Sequence, residues 1–338
     1  MSAGAAGWHL DGDPDAYYRQ ACARNSWAAG YYNRNVCVVT AGGVAVNVRI
    51  PVDGADMLDH RQWPEARVLE AIAPVVSAAP RLHWASERPQ YQIQEYVHGV
   101  VLDQLAPRGR PVPHHVPTDV ADLFGCLRKV PLTALPAPVD AADDPQQFAR
   151  RLWANTRERY LDLHTDFAGL YRRLGVPADP FEPLAGAWKT LQPRPFRLLH
   201  ADLHRKNMVL CDGATVFLDW ELALYGDPVC DGAIHLHKMG YLPEEQQRFL
   251  DAWLAAEPDA FTDGWEHDLA LYRIHETIKS AVLDAVRYAK VLAEGSRPAE
   301  GERVLVGSLT TKLAAAEQLW DTHNLVDRAS VEAALRTF

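Results

Sequence analysis

Two short segments in the second half of the chain concentrate the residues that could do chemistry. One is HADLHRKN at 200–207 and the other is LDWE at 218–221. The chain between them places two apolar runs on either side of the turn sequence CDGA, which predicts a hairpin. Because a hairpin returns its far end beside its start, Asp202, Asn207 and Asp219 are expected to converge.

These three side chains suit a phosphoryl-transfer site. Asp219 and Asn207 offer a carboxylate and an amide oxygen to Mg²⁺, a hard cation that keeps several waters and borrows phosphate oxygens. The remaining carboxylate, Asp202, can then orient an attacking hydroxyl and accept its proton. In such a reaction, positioning and charge neutralisation supply most of the catalysis. The spacing Asp-x4-Asn also matches the catalytic loop H-R-D-x-x-x-x-N of protein kinases.

The same residues allow other interpretations. An Asp/Asn cluster in a loop is by itself typical of turn chemistry. His200 and His204 are four apart and His235 and His237 are two apart, so a zinc site is conceivable. Neither histidine pair has the further cysteine or carboxylate spacing that makes zinc motifs specific, and the full acidic set at kinase spacing favours magnesium.

The elements that must position these residues divide the chain into a small β-rich N-lobe, over 1–98, and a larger helical C-lobe, over 99–338. In the first, the Ala-Gly-Gly turn at 41–43 between two β-branched runs predicts a hairpin. A helix over 64–73 and a β-type run over 91–97 follow. Helical patterns in the second part lie at 120–130, 145–174, 183–191, 269–293 and 304–320.

The two chemical segments resemble the H-G-D-L-H-x-x-N and D-W-E motifs of the aminoglycoside phosphotransferase and choline kinase superfamily. GDPVCDGA at 226–233 is similar to the G-D-P-x-x-D-L-A segment that follows in those proteins. The resemblance spans residues 28–290. It implies an α+β, protein-kinase-like two-lobed fold in which the C-lobe carries the catalytic hairpin.

The resemblance also implies roles for single residues. Asp202 would be the catalytic base, and Asn207 and Asp219 would be the magnesium ligands. His200 would hold the catalytic loop by hydrogen bonds, and Asp231 would brace it from the following helix.

The N-lobe carries a further part of the resemblance. The strand VNVR ends at Arg49, where protein kinases have a phosphate-binding lysine, and arginine offers bidentate donors to phosphate oxygens. Glu65 would be its helix partner, with Glu70 as the fallback. The segment QEYV resembles the interlobe hinge, where backbone groups of Glu95 and Val97 would meet the nucleotide base.

Three features depart from the family pattern. There is no G-x-G-x-x-G phosphate loop, and the corresponding turn is either 41–43 or 30–35. Ala201 stands where many relatives have glycine. The chain ends in LRTF, without the acidic tail by which some aminoglycoside kinases hold a cationic substrate, which weighs against an aminoglycoside.

The predicted function is Mg²⁺-dependent transfer of the γ-phosphate of ATP or GTP to a hydroxyl of a small molecule. An antibiotic or related natural product, of aminoglycoside or nucleoside type, is the first hypothesis for the acceptor. Candidate acceptor-binding carboxylates are Glu221, Glu276 and Asp284. The alternatives are a metabolic kinase acting on choline, a sugar or an amino-alcohol, and a pseudokinase that only binds. The short stretch 220–230 leaves no platform for a protein substrate.

Composition limits the classes of partner and the compartment that we expect for this protein. The 338 residues include 34 Lys and Arg against 44 Asp and Glu, a net charge of -10 that weighs against nucleic-acid and anionic-membrane partners. No signal peptide and no apolar stretch of about 20 residues is visible. Five scattered cysteines without a Cys-x-x-Cys pair favour a reducing compartment. We therefore expect a cytoplasmic protein with no obligate protein partner.

Overall fold

A computed structural model describes residues 10–24, 28–29, 33–52, 61–136, 143–295, 297–320 and 326–337. The chain divides into two compact units. The first unit comprises Met1–Ala141, Arg197–Tyr225 and Lys238–Pro258, and the second comprises Ala142–Phe196, Gly226–His237 and Asp259–Phe338. The lobe boundary predicted between residues 98 and 99 lies inside the first unit and stays a prediction. Residues 30–32 of one phosphate-loop candidate lie outside the described residues.

Strands and helices follow one another in a mixed order. The strands are β1 (Ala28–Ala29), β2 (Asn33–Val39), β3 (Ala45–Pro51), β4 (Leu82–Glu87), β5 (Gln90–Glu95), β6 (Val100–Val101), β7 (Arg197–Leu199), β8 (Met208–Cys211), β9 (Ala214–Phe217) and β10 (Leu224–Gly226). The helices are α1 (Pro14–Cys22), α2 (Glu65–Ile72), α3 (Leu102–Leu105), α4 (Val116–Leu127), α5 (Pro145–Arg173), α6 (Pro228–Met239), α7 (Pro243–Ala256), α8 (Asp259–Thr262), α9 (Trp265–Glu294), α10 (Ala299–Trp320) and α11 (Arg328–Arg336).

The first unit contains a five-stranded antiparallel sheet of order β1-β2-β3-β5-β4. Alternation along the strands gives this sheet one apolar face, where Val36, Val48 and Ile93 pack with Tyr17 of α1. The opposite face is polar, because the register pairs Arg49 with Asn35 on one side and with Gln92 on the other. Directly paired residues share a face, so the predicted phosphate-binding arginine lies among amide side chains.

The rest of the first unit holds two smaller sheets and a helix pair. Strands β6, β8 and β9 form one sheet, and β7 pairs with β10. Helices α4 and α7 pack through Phe124 and Phe249, whose ring centroids are 5.9 Å apart in an edge-to-face arrangement.

The second unit is helical and is fixed by a buried ion network. The Arg194 guanidinium lies 2.8 Å from Asp227 Oδ2 and also pairs with Asp268, and all three side chains are fully buried. Asp227 Oδ1 accepts a hydrogen bond from the backbone N–H of Val229 at 2.9 Å, which caps the first turn of α6. A buried arginine with two carboxylate partners therefore ties the start of α6 to α9.

Most predicted elements are confirmed. The Gly-Gly hairpin is β2–β3, and the helix over 64–73 is α2. The predicted helix over 183–191 is wrong, because the segment forms two short 3-10 turns interrupted around Gly186. The fold class is confirmed as mixed α+β, with a small antiparallel sheet and a larger helical part. None of the helices in the described ranges combines the length and apolarity needed to cross a bilayer.

Candidate active site

A hairpin positions the two predicted metal ligands. Strands β8 and β9 are joined by Asp212 and Gly213, whose φ values of 48° and 82° are those of a two-residue type I′ turn. At the open end of the hairpin, the backbone N–H of Leu218 donates to the carbonyl oxygen of Asn207 at 2.8 Å. Asn207 and Asp219 therefore lie at the same end of the hairpin, one residue apart in register.

The loop that precedes β8 is held at both ends. His200 is buried, its Nε2 donates to the carbonyl oxygen of Leu218 at 3.1 Å, and its ring lies against Trp220. The Arg205 guanidinium is buried and donates to the carbonyl oxygens of Ala106 at 2.6 Å and Met239 at 3.0 Å. Both contacts fix the backbone on either side of Asp202.

Asp202 is an ionised carboxylate with a lysine beside it. Its Oδ2 accepts a hydrogen bond from Asn207 Nδ2 at 3.1 Å, and its Oδ1 pairs with Lys238. His204 Nε2 lies 3.7 Å from Oδ2. Burial lowers the pKa of His204, so that imidazole carries little charge at neutral pH. Burial raises the pKa of Asp202, but the charge of Lys238 outweighs it and holds the pKa below its usual value. The group is therefore charged at neutral pH and can accept a hydroxyl proton.

Arg49 lies among three carboxylates on the polar side of the sheet. Its Nε is 2.8 Å from Glu65 Oε2, although that N–H is not aligned for a hydrogen bond, and its Nη2 donates to Asp219. Glu221 Oε2 is 3.5 Å from the same Nη2. Burial alone would lower the pKa of Arg49, but the three carboxylates outweigh it and raise the pKa. Glu70, the fallback partner, instead pairs with exposed Arg67.

Glu65 is fixed by neutral donors as well as by Arg49. Its Oε1 accepts a hydrogen bond from the backbone N–H of Trp220 at 2.9 Å, and its Oε2 accepts one from Gln92 Nε2. One carboxylate thus connects helix α2, strand β5 and the segment that carries Asp219. This arrangement sets the position of Arg49 relative to the hairpin.

Glu221 is the carboxylate of this cluster with the least charge compensation. Its Oε2 accepts a hydrogen bond from Asn33 Nδ2 at 2.8 Å, and its side chain is 8% exposed. Burial, followed by the charge of Asp219, raises the pKa of Glu221 to about 8. One arginine facing three carboxylates leaves an excess of negative charge, which a divalent cation would compensate.

The raised pKa of Glu221 leads to a stability prediction. Between its ordinary pKa of 4.5 and about 8, the folded protein binds a proton that the unfolded chain lacks, so stability is lost as pH rises toward 8. The loss is on the order of 1 kcal/mol for each pH unit between about pH 6 and 8. We expect the metal-free wild type to lose thermal stability over this range, and Glu221→Gln to lose less.

The measurement is thermal unfolding with a chelator present from pH 6 to 9.5. Glu70→Gln is the matched control, because Glu70 is an exposed side chain of α2. A Glu221→Gln protein whose pH curve parallels that of the wild type would contradict the assignment.

The donor set fits a magnesium ion. Asn207 Nδ2 donates to Asp202. The amide oxygen, Oδ1, therefore points away from Asp202, and it accepts no hydrogen bond from any other described residue. Asp219 has a φ of 66°, in the left-handed region that few non-glycine residues occupy. Within the described ranges, no group of three or more His, Cys, Asp or Glu is arranged to hold a metal. Two oxygen ligands with waters and phosphate oxygens are typical of Mg²⁺.

The predicted hinge lies where β5 ends. The backbone N–H of Glu95 donates to the carbonyl oxygen of Arg81 at 2.8 Å. Val97 follows in an irregular stretch, and its backbone makes no hydrogen bond to any other residue that the structure describes. At Gly99 the φ is 157° and a Cβ atom would collide with the carbonyl oxygen of Leu210, so glycine allows the chain to reach β8.

Three other predicted site residues lie in the second unit. Asp231 is buried in the first turn of α6. Glu276 pairs with Lys279, and its Oε1 is 3.4 Å from His275 Nδ1. Burial raises the pKa of Glu276, but the charge of Lys279 and the hydrogen bond from His275 outweigh it and lower the pKa well below its usual value. Asp284 has the same kind of environment, since it pairs with Lys312 and Arg287. The bracing role of Asp231 and the substrate-binding roles of Glu276 and Asp284 stay predictions.

Three residues that contact the predicted site residues were not predicted from the sequence. Lys238 pairs with Asp202, Asn33 donates to Glu221 and Gln92 donates to Glu65. None belongs to the motifs at 200–207 or 218–221. The alternation of polar residues in β2 and β5 was a signal for Asn33 and Gln92, whereas no pattern marked Lys238.

Comparison with known proteins identifies the family. The model of the phosphotransferase enzyme family matches residues 26–266, well over half of the chain. The chain belongs to this family. The phosphotransferase resembles a choline/ethanolamine kinase family protein from Mesorhizobium loti, with a TM-score of 0.58 and 14% identity over 96% of this chain and 99% of that one.

Two further solved structures resemble this phosphotransferase. The macrolide 2′-phosphotransferase of Brachybacterium faecium gives a TM-score of 0.54 at 16% identity, over 89% of this chain and 93% of that one. Choline kinase LicA of Streptococcus pneumoniae gives 0.53 at 13% identity, over 86% and 92%. None of the curated proteins matches the sequence. The likenesses show a kinase-like fold, and family membership makes the protein a phosphotransferase enzyme.

Proposed function

We propose that this phosphotransferase moves the γ-phosphate of ATP or GTP to a hydroxyl group of a small molecule, with Mg²⁺ as cofactor. The observation that carries the proposal is the convergence of Asp202, Asn207, Asp219 and Arg49 within one unit, with Asp202 ionised. These are the groups that phosphoryl transfer requires: a base, two oxygen ligands and a fixed positive charge.

The proposed step follows from the positions of these groups. The acceptor oxygen forms a bond to the γ-phosphorus, the bond to the β–γ bridging oxygen breaks, and the hydroxyl proton passes to Asp202. Asn207 and Asp219 would hold Mg²⁺, which when bound neutralises the charge of the phosphates. Arg49 would donate to phosphate oxygens, and Glu65 keeps its guanidinium in place. The backbone of Glu95 and Val97 would meet the base.

The acceptor that we favour is an antibiotic or related natural product with few positive charges, such as a nucleoside. The likeness to a macrolide phosphotransferase supports an antibiotic. The candidate carboxylates Glu276 and Asp284 already have cationic partners within the second unit, which weighs against a polycationic aminoglycoside. Glu221 is likewise hydrogen-bonded by Asn33 and close to Arg49.

A metabolic kinase is the second candidate. The likeness to a choline/ethanolamine kinase family protein favours an amino-alcohol acceptor. A pseudokinase is disfavoured, because the proposed base and both proposed metal ligands are present.

The test is a nucleotide-turnover screen with Mg²⁺, in which ATP and GTP are each combined with antibiotics, nucleosides, sugars and amino-alcohols. Mass spectrometry identifies the acceptor that gains a single phosphate. We expect one chemical class of acceptor to be modified. Nucleotide binding with no turnover on any acceptor would favour the binding protein instead.

A further inference from the structure

Lys238 contacts the proposed catalytic base from outside every motif of the chain. It is the last residue but one of α6 and belongs to the first unit, as Asp202 does. Its ammonium donates to Asp202 Oδ1, whereas Asn207 occupies the other carboxylate oxygen. The Lys238 side chain is 29% exposed, so part of it is open to solvent.

The backbone at this end of α6 is fixed by two arginines. Arg108 Nη1 donates to the carbonyl oxygen of Lys238 at 3.1 Å, and Arg205 Nε donates to that of Met239 at 3.0 Å. Arg205 belongs to the same loop as Asp202. The loop that carries Asp202 therefore also holds the end of α6 that carries Lys238. Lys238 is thus fixed in position relative to Asp202, unlike the partners of an ordinary surface ion pair.

Phosphoryl transfer at Asp202 would bring a second hydrogen-bond acceptor, the phosphoryl group, close to the Lys238 ammonium. A hydroxyl that donates to Asp202 must lie in line with the phosphoryl group that it attacks, so both lie near the carboxylate. A lysine ammonium has three donors on a flexible stem, so it can exchange or share acceptors when a phosphoryl group lies beside the carboxylate. The phosphoryl oxygens are acceptors that this ammonium would meet.

We propose that Lys238 is a further catalytic residue that binds the phosphoryl group being transferred; this inference rests on the proposed function. Before nucleotide binds, the ammonium pairs with Asp202. During transfer it donates to the oxygens of the γ-phosphoryl group as the acceptor O–P bond forms and the bond to the departing nucleoside diphosphate breaks. The hydroxyl proton passes to Asp202, and Lys238 stays protonated throughout.

The experiment compares Lys238→Met, which keeps the length and removes the charge, with Lys238→Arg, which keeps the charge. Lys129→Met is the matched control, because Lys129 is an exposed lysine of the same unit. Calorimetry measures the affinity for a non-hydrolysable triphosphate analogue and for the corresponding diphosphate, each with Mg²⁺. Thermal unfolding checks that each variant is folded.

We expect Lys238→Met to bind the triphosphate about tenfold more weakly and the diphosphate as the wild type does. Its kcat on the acceptor should fall about 100-fold, with a smaller change in the KM for nucleotide, and Lys238→Arg should recover part of that loss. Equal affinity changes for both nucleotides, or an unchanged kcat, would overturn the role of Lys238 and leave the proposed function intact. A wild type that binds no nucleotide would overturn both.

Discussion

Replacing Asp202 by Asn is expected to lower kcat about a thousandfold while the protein stays folded. The amide keeps the shape of the carboxylate but cannot accept a proton from the acceptor hydroxyl. Stability should change little, because Lys238 loses a counter-charge but remains partly exposed to solvent. Single-turnover kinetics with saturating nucleotide measure the rate, and thermal unfolding measures the fold.

Asp212→Asn is the matched control for this substitution. It makes the same chemical change in the hairpin that follows the Asp202 loop, at an exposed turn position with a φ of 48° that asparagine tolerates. We expect this variant to retain wild-type activity and stability. An Asp202→Asn enzyme that works at a rate near that of the wild type would remove Asp202 from the mechanism.

Replacing Arg49 by Met is expected to have the largest combined effect on stability and activity. The substitution leaves Glu65, Asp219 and Glu221 close together with no cation, and breaking a buried ion pair in this way costs about 3–5 kcal/mol. Nucleotide turnover should be lost as well, because no fixed positive charge remains on this side of the site. Chemical denaturation at pH 8 and the turnover assay measure the two effects.

One further variant separates the effect of charge from that of geometry, and another serves as a surface control. Arg49→Lys keeps the charge but cannot reach Glu65 and Asp219 with separate nitrogens, so we expect a folded protein with reduced turnover. Arg67→Met removes a surface ion pair of α2 and should cost less than about 1 kcal/mol. If Arg49→Met unfolds at the same denaturant concentration as the wild type, the ion cluster does not stabilise the fold.

The hairpins could be predicted from the sequence because their signals are local. The Gly-Gly turn before β3 and the Asp212-Gly213 turn between β8 and β9 each lie between short apolar runs, and such turns fix strand register over a few residues. The register in turn sets which end of the hairpin carries Asn207 and Asp219. The convergence of Asn207 and Asp219 could therefore be predicted from the sequence.

Other parts of the fold depend on contacts between distant segments. Helix α1 begins with Asp13 as a cap, but its place on the apolar face of the sheet is decided by packing against Val36 and Val48. Strand β4 was not predicted, since its exposed edge position leaves it without a regular alternation. The pairing of Lys238 with Asp202 spans 36 residues and depends on where α6 ends, which no periodicity specifies.

Transfer of the γ-phosphoryl group from the nucleotide to an acceptor hydroxyl can be measured directly with an isotope label. The protein is incubated with Mg²⁺ and with ATP or GTP carrying heavy oxygen in the γ-phosphoryl group, in the presence of each candidate acceptor. We expect the wild type to place the labelled phosphoryl group on a hydroxyl of one acceptor and Asp202→Asn to place almost none there. Label found only in inorganic phosphate with every acceptor, or equal transfer by Asp202→Asn, would contradict this expectation.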